Sequence, residues 1–158
     1  MKSKNNQDFD NTYQTPVGKL GVRYQKNTIT ELRWLLECSA SRQVAQKNSD
    51  LIKDSLDCYF ETAKFSNKLK LSPAGTPFQL KVWNRLRQIP VGETISYGEL
   101  AHELNTSSRA IGQACRTNPL VLLIPCHRVV SRTGLGGYLG AQKKLSIKSW
   151  LLEHEASH

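Results

Sequence analysis

Cys126 stands between Pro125 and His127, at the end of the apolar run Leu120 to Ile124 and one residue short of Arg128. The thiolate, not the thiol, is the nucleophile, so a cysteine does chemistry where its neighbours favour the charged form. His127, Arg128 and the cations around them are groups of that kind. A histidine base in turn needs a partner that fixes its tautomer. Glu153 and Glu155 are the only acids after residue 103, and either serves if the last helix packs behind the cysteine. Neighbours in an extended segment face opposite sides, so His127 is expected to reach Cys126 through a bridging water. Cys38, Cys58 and Cys115 lack such surroundings and read as packing material.

The chain has 158 residues, with 22 Lys and Arg against 13 Asp and Glu, a formal net charge of +9. Residues 1–72 hold 12 basic and 8 acidic side chains, and residues 73–158 hold 10 and 5. Placement says more than the total. From Leu104 to Leu152 there is no acid, while Arg109, Arg116, Arg128, Arg132, Lys143, Lys144 and Lys148 fall in that stretch. A solvated basic face would account for it. A phosphate-binding surface accounts for it better, because the stretch spans several elements.

Other classes drop out. None of the four cysteines forms a C-x-x-C pair and no Cys/His set has zinc-site spacing, so no metal and no cofactor are expected. No apolar run approaches the roughly 20 residues of a membrane span. The opening MKSKNNQDFDN has no apolar h-region, so the expected location is the cytoplasm.

The elements that must position Cys126 can be read along the chain. Residues 1–11 are polar and expected to fray. Tyr13 to Tyr24 and Ile29 to Leu36 read as a small sheet. Ser49 to Phe60 reads as a helix capped by Ser49, with Ile52, Leu56, Tyr59 and Phe60 at helical spacing. Residues 66–76 connect two units. Thr76-Pro77-Phe78-Gln79 is a capping box with Pro at the first helical position. The helix it opens carries Phe78, Val82, Trp83 and Leu86 and stops near Ile89, before Pro90. Ser96-Tyr97-Gly98-Glu99 is a second capping box, for a helix to about Leu104. Ser107 caps the next, Ser108 to Thr117, and the pair forms a helix-turn-helix. In that second helix Arg109, Gly112, Gln113 and Arg116 share a face, and Ala110, Gly112 and Ala114 keep it slim. Interior glycine costs about 1 kcal/mol relative to alanine. Either close approach to another surface or tight packing on a neighbouring helix would explain it. Leu120 to Ile124 reads as a buried strand or extended segment, and the last helix as Lys144 to Glu155, with Leu145, Lys148 and Leu152 on one side.

Ile124-Pro-Cys-His-Arg-Val-Val130 resembles the active-site motif of the O6-alkylguanine-DNA alkyltransferases. Gly75 to Trp83, Ile89 to Ala101, Arg109-Ala-Ile-Gly-Gln-Ala114 and Trp150-Leu-Leu-Glu-His-Glu155 are similar to the same family, in the same order. The resemblance covers most of residues 75–155. It implies a small α/β N-terminal domain over residues 1–72, a sheet plus helix of ribonuclease-H-like type. A mostly α winged-helix/helix-turn-helix domain over residues 73–158 would follow, with DNA-binding and alkyl-acceptor roles. Some members carry zinc in the first domain; no histidine precedes residue 102 in this chain, so none is expected.

The same resemblance implies direct-reversal DNA repair. Cys126 would take the alkyl group from O6-alkylguanine, and from O4-alkylthymine, once and irreversibly. His127 would be the base, oriented by Glu155. Tyr97 would help extrude the nucleotide and protonate the leaving guanine. Arg109 would fill the vacated space. Ala110, Gly112, Gln113, Arg116 and Arg128 complete the DNA-binding set, and Asn118, Val129 and Tyr138 the substrate pocket. Leu139 sits where some members have a small polar residue. The expected partner is double-stranded DNA containing alkylated guanine, met by a monomer, with cooperative binding left open. The alternative is a non-catalytic alkylated-DNA-binding protein of the same fold.

Overall fold

The computed structural model describes residues 9–35, 47–66, 68–141 and 144–158. Cys38, Lys143 and the first eight residues lie outside them. The chain divides into two compact units, Met1–Pro73 and Ala74–His158.

The first unit is an antiparallel meander of β1 (Asn11–Thr15), β2 (Gly18–Gln25) and β3 (Thr28–Leu35), followed by α1 (Lys47–Thr62). Leu20 and Val22 of β2 and Leu32 and Trp34 of β3 are buried at period two, as a half-buried sheet requires. Helix α1 buries Ile52, Leu56 and Tyr59 along one stripe. It begins at Lys47, so Ser49 lies inside the helix and is not its cap. Phe9 is buried and β1 starts at Asn11, so residues 9–11 belong to the fold and not to a frayed start. The Phe9 ring lies on Gly21, where an added Cβ would come within 2.6 Å of it; only glycine fits that contact.

The second unit is mostly helical. Helix α2 (Pro77–Leu86) opens on the capping box read from the sequence: Gln79 N–H donates to Thr76 Oγ1 at 3.2 Å, and Thr76 N–H to Gln79 Oε1 at 2.8 Å. It buries Val82, Trp83 and Leu86 but leaves Phe78 exposed. Its regular part ends at Leu86, and tight turns carry the chain to Ile89. Strand β4 (Ile95–Ser96) leads into α3 (Tyr97–Glu103), whose Ser96/Glu99 capping box also forms. Helix α4 (Ser108–Arg116) is capped by Ser107, which accepts from Ala110 N–H. Trp83 Nε1 donates to Ala114 O at 2.9 Å and ties α2 to α4.

Beyond α4 the structure departs from expectation. Leu120 to Ile124 is not a strand. Ile124 N–H donates to Leu120 O, Leu123 N–H to Val121 O, and Leu122 has φ +68°, so the apolar run is a compact buried turn. Cys126–Arg128 then forms a single 3-10 turn, not an extended segment. Strand β5 (Val129–Val130) pairs in parallel with β4, and α5 (Leu145–Ala156) closes the unit. Its buried stripe is Lys148, Leu151 and Glu155; Leu151, not Leu152, faces inward. No helix among the described residues is long and apolar enough to cross a membrane. Thr76→Ala removes the side-chain half of the α2 cap. It is expected to cost about 1 kcal/mol of stability by urea denaturation, with an unchanged slope against denaturant.

Candidate functional site

The 3-10 turn places Cys126, His127 and Arg128 in three different environments, and all three are buried. Cys126 Sγ accepts from Asn118 Nδ2 at 3.2 Å. Asn118 is itself fixed: Nδ2 also donates to Ile124 O at 2.8 Å, and Oδ1 accepts from Leu120 N–H at 2.9 Å. The buried turn 120–124 is therefore the bracket that aims an amide N–H at the sulfur. Burial pushes the Cys126 thiol up to about 11, against the lowering effect of the Asn118 hydrogen bond and the Lys148 charge. The resting group is a thiol. The surrounding cations do not make it a standing thiolate, because desolvation outweighs them.

His127 has no exposed surface, and its Nε2 lies 2.7 Å from Glu155 Oε1. Glu155 also accepts from Arg128 Nε at 2.9 Å and from Arg128 Nη2 at 2.9 Å. Burial alone would raise the Glu155 carboxyl, but the His127 and Arg128 hydrogen bonds hold it well below the ordinary range. An ionised Glu155 can only accept, so His127 Nε2 carries the proton and Nδ1 keeps its lone pair. Nδ1 is buried and has no hydrogen-bond partner among the described residues. Burial also lowers the His127 pKa, so the ring is a neutral base near pH 7. The partner of His127 is Glu155; Glu153 is exposed and pairs with Ser149.

Arg128 does not face solvent. Besides its two bonds to Glu155, Nη1 donates to Ile89 O at 2.6 Å. Its expected place in the DNA-binding set is thus corrected: a guanidinium held on three internal acceptors cannot also reach a phosphate. Lys148, counted in the basic stretch, is corrected likewise. It is 0% exposed, and Nζ donates to Val129 O at 2.6 Å and to Gly137 O at 2.8 Å. Burial lowers its pKa to about 8, against the raising effect of Cys126 and Cys115.

Beside Cys126 lies a cavity of about 480 Å³. Helix α4 supplies one wall with Ser108, Arg109, Gly112, Gln113, Cys115 and Arg116. Tyr97 and residues 137–140, including Tyr138 and Leu139, supply the other. Tyr97 O–H donates to Gly137 O at 3.3 Å, and burial raises its pKa to about 12, so it is a protonated donor. Arg109, Gln113 and Arg116 are exposed, whereas Ile111, Ala114 and Cys115 are buried. A Cβ on Gly112 would meet nothing within 4 Å, so packing on a neighbouring helix does not explain that glycine. Gly136 is explained from within: it has φ +71°, and a Cβ there would meet the Tyr97 ring at 2.8 Å.

Two residues expected in the substrate pocket do not line this cavity. Asn118 is buried with its amide committed to Cys126 and Ile124, and Val129 is buried with its carbonyl held by Lys148. Ala110, expected in the DNA-binding set, is partly exposed on α4 next to Arg109. Conversely, Cys115 and Lys148 belong to the site although their sequence contexts gave no reason to choose them. The available signal was spacing: Lys148 lies two helical turns before Glu155, on the same face. Among the described residues no group of three or more Cys, His, Asp or Glu is placed to hold a metal ion.

Two outcomes follow from the buried charges. Glu155 binds fewer protons folded than unfolded below its ordinary value of 4.5, and so does His127 below 6.5. The stability these two groups contribute is therefore fully present at neutral pH and lost in two stages as pH falls through 6.5 and then 4.5. Urea midpoints across that range check it, and Glu155→Gln is expected to flatten the lower stage. Arg128→Ala strands a buried carboxylate and is expected to cost about 3–5 kcal/mol. Urea denaturation of the variant beside the parent checks it.

Residues 77–157 match the family described as 6-O-methylguanine DNA methyltransferase, DNA binding domain. A methylated-DNA–protein-cysteine methyltransferase of Methanosarcina acetivorans is 45% identical over 105 residues, 65% of this chain and 65% of that one. The constitutive enzyme of that name from Bacillus subtilis is 35% identical over 159 residues, 94% of this chain and 95% of its own. Among solved structures, the O6-methylguanine methyltransferase of Mycobacterium tuberculosis superposes with a TM-score of 0.79 at 33% identity, over 92% of this chain and 91% of that one. The same protein in complex with DNA gives 0.77 at 33% identity, over the same shares. With the family match spanning α2 to α5 and the Bacillus relative spanning nearly the whole chain, this protein belongs to the O6-methylguanine DNA methyltransferase family.

Proposed function

We propose that this chain is a methylated-DNA–protein-cysteine methyltransferase, which repairs DNA by moving the alkyl group of O6-alkylguanine, and of O4-alkylthymine, onto its own Cys126. One observation carries the reading: Cys126 opens on the cavity under α4, while the adjacent His127 is held as a neutral base by Glu155. The thiol proton passes to His127 Nδ1 through a bridging water as Sγ attacks the alkyl carbon. The S–C bond forms, the C–O6 bond breaks, and Tyr97 O–H protonates the departing guanine. The Tyr97 phenolate recovers a proton from the His127 imidazolium by way of solvent, so the net change moves the thiol proton to guanine and leaves S-alkylcysteine. Nothing in the site reverses a thioether, so each molecule acts once.

An O6 substituent inside a duplex is not open to in-line attack, so the nucleotide must leave the stack, at a cost of a few kcal/mol. Arg109 on the exposed face of α4 fills the gap, and the bare backbone at Gly112 allows a close approach. Gln113 and Arg116 extend the same surface, and phosphate contacts make it tolerant of sequence and sensitive to salt. Tyr138 walls the base pocket, and Asn118 steadies the thiolate. On this reading residues 73–158 are the DNA-binding and alkyl-acceptor domain, and residues 1–72 a small α/β domain of ribonuclease-H-like type. The protein acts as a monomer on double-stranded DNA in the cytoplasm, and any cooperativity shows in the shape of its binding isotherm.

Incubation with duplex DNA holding O6-methylguanine is expected to add one methyl group per chain by intact mass, mapped to Cys126. Cys126→Ala abolishes the gain and keeps DNA binding; methyl found on another residue, or none on DNA-competent protein, sinks the proposal. Arg109→Ala is expected to slow repair in duplex by about tenfold or more, with a smaller effect on the free base. Equal losses on both substrates argue against a role in extrusion.

A further inference from the structure

Lys148 is the largest charged side chain fully buried in the described residues. Among those residues it has no carboxylate partner; its two acceptors are the carbonyls of Val129 and Gly137. Neutral carbonyls repay only part of the cost of burying an ammonium, so its charge answers something else. Three ionisable groups on three elements surround it. Nζ sits 5.8 Å from the centroid of the Tyr97 ring on α3. Negative charge on the sulfur of Cys126, on the 3-10 turn, or of Cys115, on α4, favours its protonated form. His127 also lies in its field, which further disfavours protonation of that ring. Gly137 O accepts from both Lys148 Nζ and Tyr97 O–H, so one carbonyl joins the ammonium, the phenol and the loop that walls the cavity.

We propose that Lys148 is a positioning residue whose ammonium supplies the counter-charge for the Cys126 thiolate and, through the Gly137 carbonyl, fixes Tyr97 and the cavity wall. The inference deepens the repair reading and rests on it for its meaning, but its electrostatic part can be read without repair. The charge is useful only while the sulfur is losing its proton. In the resting state Cys126 is a thiol and the ammonium is merely tolerated. As the proton leaves, the cation offsets a charge that Asn118 alone would have to carry. Lys148 titrates at about 8, well below the thiol at about 11, so the counter-charge is lost before the thiol ionises unaided. The two groups therefore titrate as a coupled pair.

The test uses iodoacetamide, which alkylates Cys126 at a rate set by its thiolate and needs neither DNA nor alkylguanine. The whole protein is followed by mass spectrometry from pH about 7 to about 10, with Cys126 mapped as the site. In the unmodified protein the logarithm of the rate is expected to rise and then bend to a plateau near pH 8. In Lys148→Met the bend vanishes, the rise continues tenfold per pH unit, and the rate near neutrality is about tenfold lower or less. Lys148→Arg, whose charge does not titrate, also removes the bend but keeps a faster rate than Lys148→Met. Equal Cys126 rates near pH 7 in the unmodified protein and folded Lys148→Met overturn the proposal, and so does a Lys148→Arg rate no faster than that of Lys148→Met. A bend retained in folded Lys148→Met overturns it as well. Methyl transfer from O6-methylguanine DNA is measured alongside. Failure of that transfer with the bend intact counts against the repair reading and not against the counter-charge.

Discussion

A carboxylate with 2% exposure organises the second unit. Glu155 accepts three hydrogen bonds, one from His127 and two from Arg128, and those bonds keep it ionised against the cost of burial. Through Arg128 it is tied to the Ile89 carbonyl, just past α2. Through His127 it fixes which ring nitrogen can receive a proton. One acid at the end of α5 thus joins three stretches that are far apart in sequence. Its charge is a folding constraint and a chemical one together: the chain cannot neutralise Glu155 without loosening Arg128 and losing the tautomer of His127.

The site works by restraint. Cys126 is neither exposed nor ionised at rest, and each of its neighbours acts more strongly on the sulfur once it is charged. An amide N–H from Asn118 and the field of Lys148 both favour the anion, while burial favours the thiol. A nucleophile arranged in this way gains its charge only when base, substrate and cavity come together. That suits a group that can be used once, since a standing thiolate would be exposed to any electrophile entering the cavity.

Much of this was legible in the residues, and what was not has definite causes. The capping boxes at Thr76/Gln79 and Ser96/Glu99 were readable because they depend on side chains and backbone within one turn. The exposed face of α4 was readable because helical spacing sets it. Arg128 and Lys148 were misplaced because a charge count treats every cation as solvated; only the fold shows which carbonyls and carboxylates replace water. The run Leu120 to Ile124 was misplaced because five apolar residues suit a buried strand as well as a buried turn, and nothing local announces the positive φ of Leu122. The choice between Glu153 and Glu155 was open to spacing. The family motif favoured Glu155, and the structure shows why: Glu155 faces the unit's interior with Lys148 and Leu151, and Glu153 faces out.

The empty space beside Gly112 sets two selective pressures against each other. Within the folded chain a methyl group there would touch nothing and would make α4 more helical, a gain of about 1 kcal/mol. On the proposed function, the close approach of DNA to this face of the helix is what gives the glycine its use. Evolution for heat resistance alone, with no DNA in the assay, would find alanine at this position early and count it an improvement. On that proposed reading the same change would leave the thiol, the base and the acid untouched, and would surface only as a protein that survives heating better and meets its substrate less well.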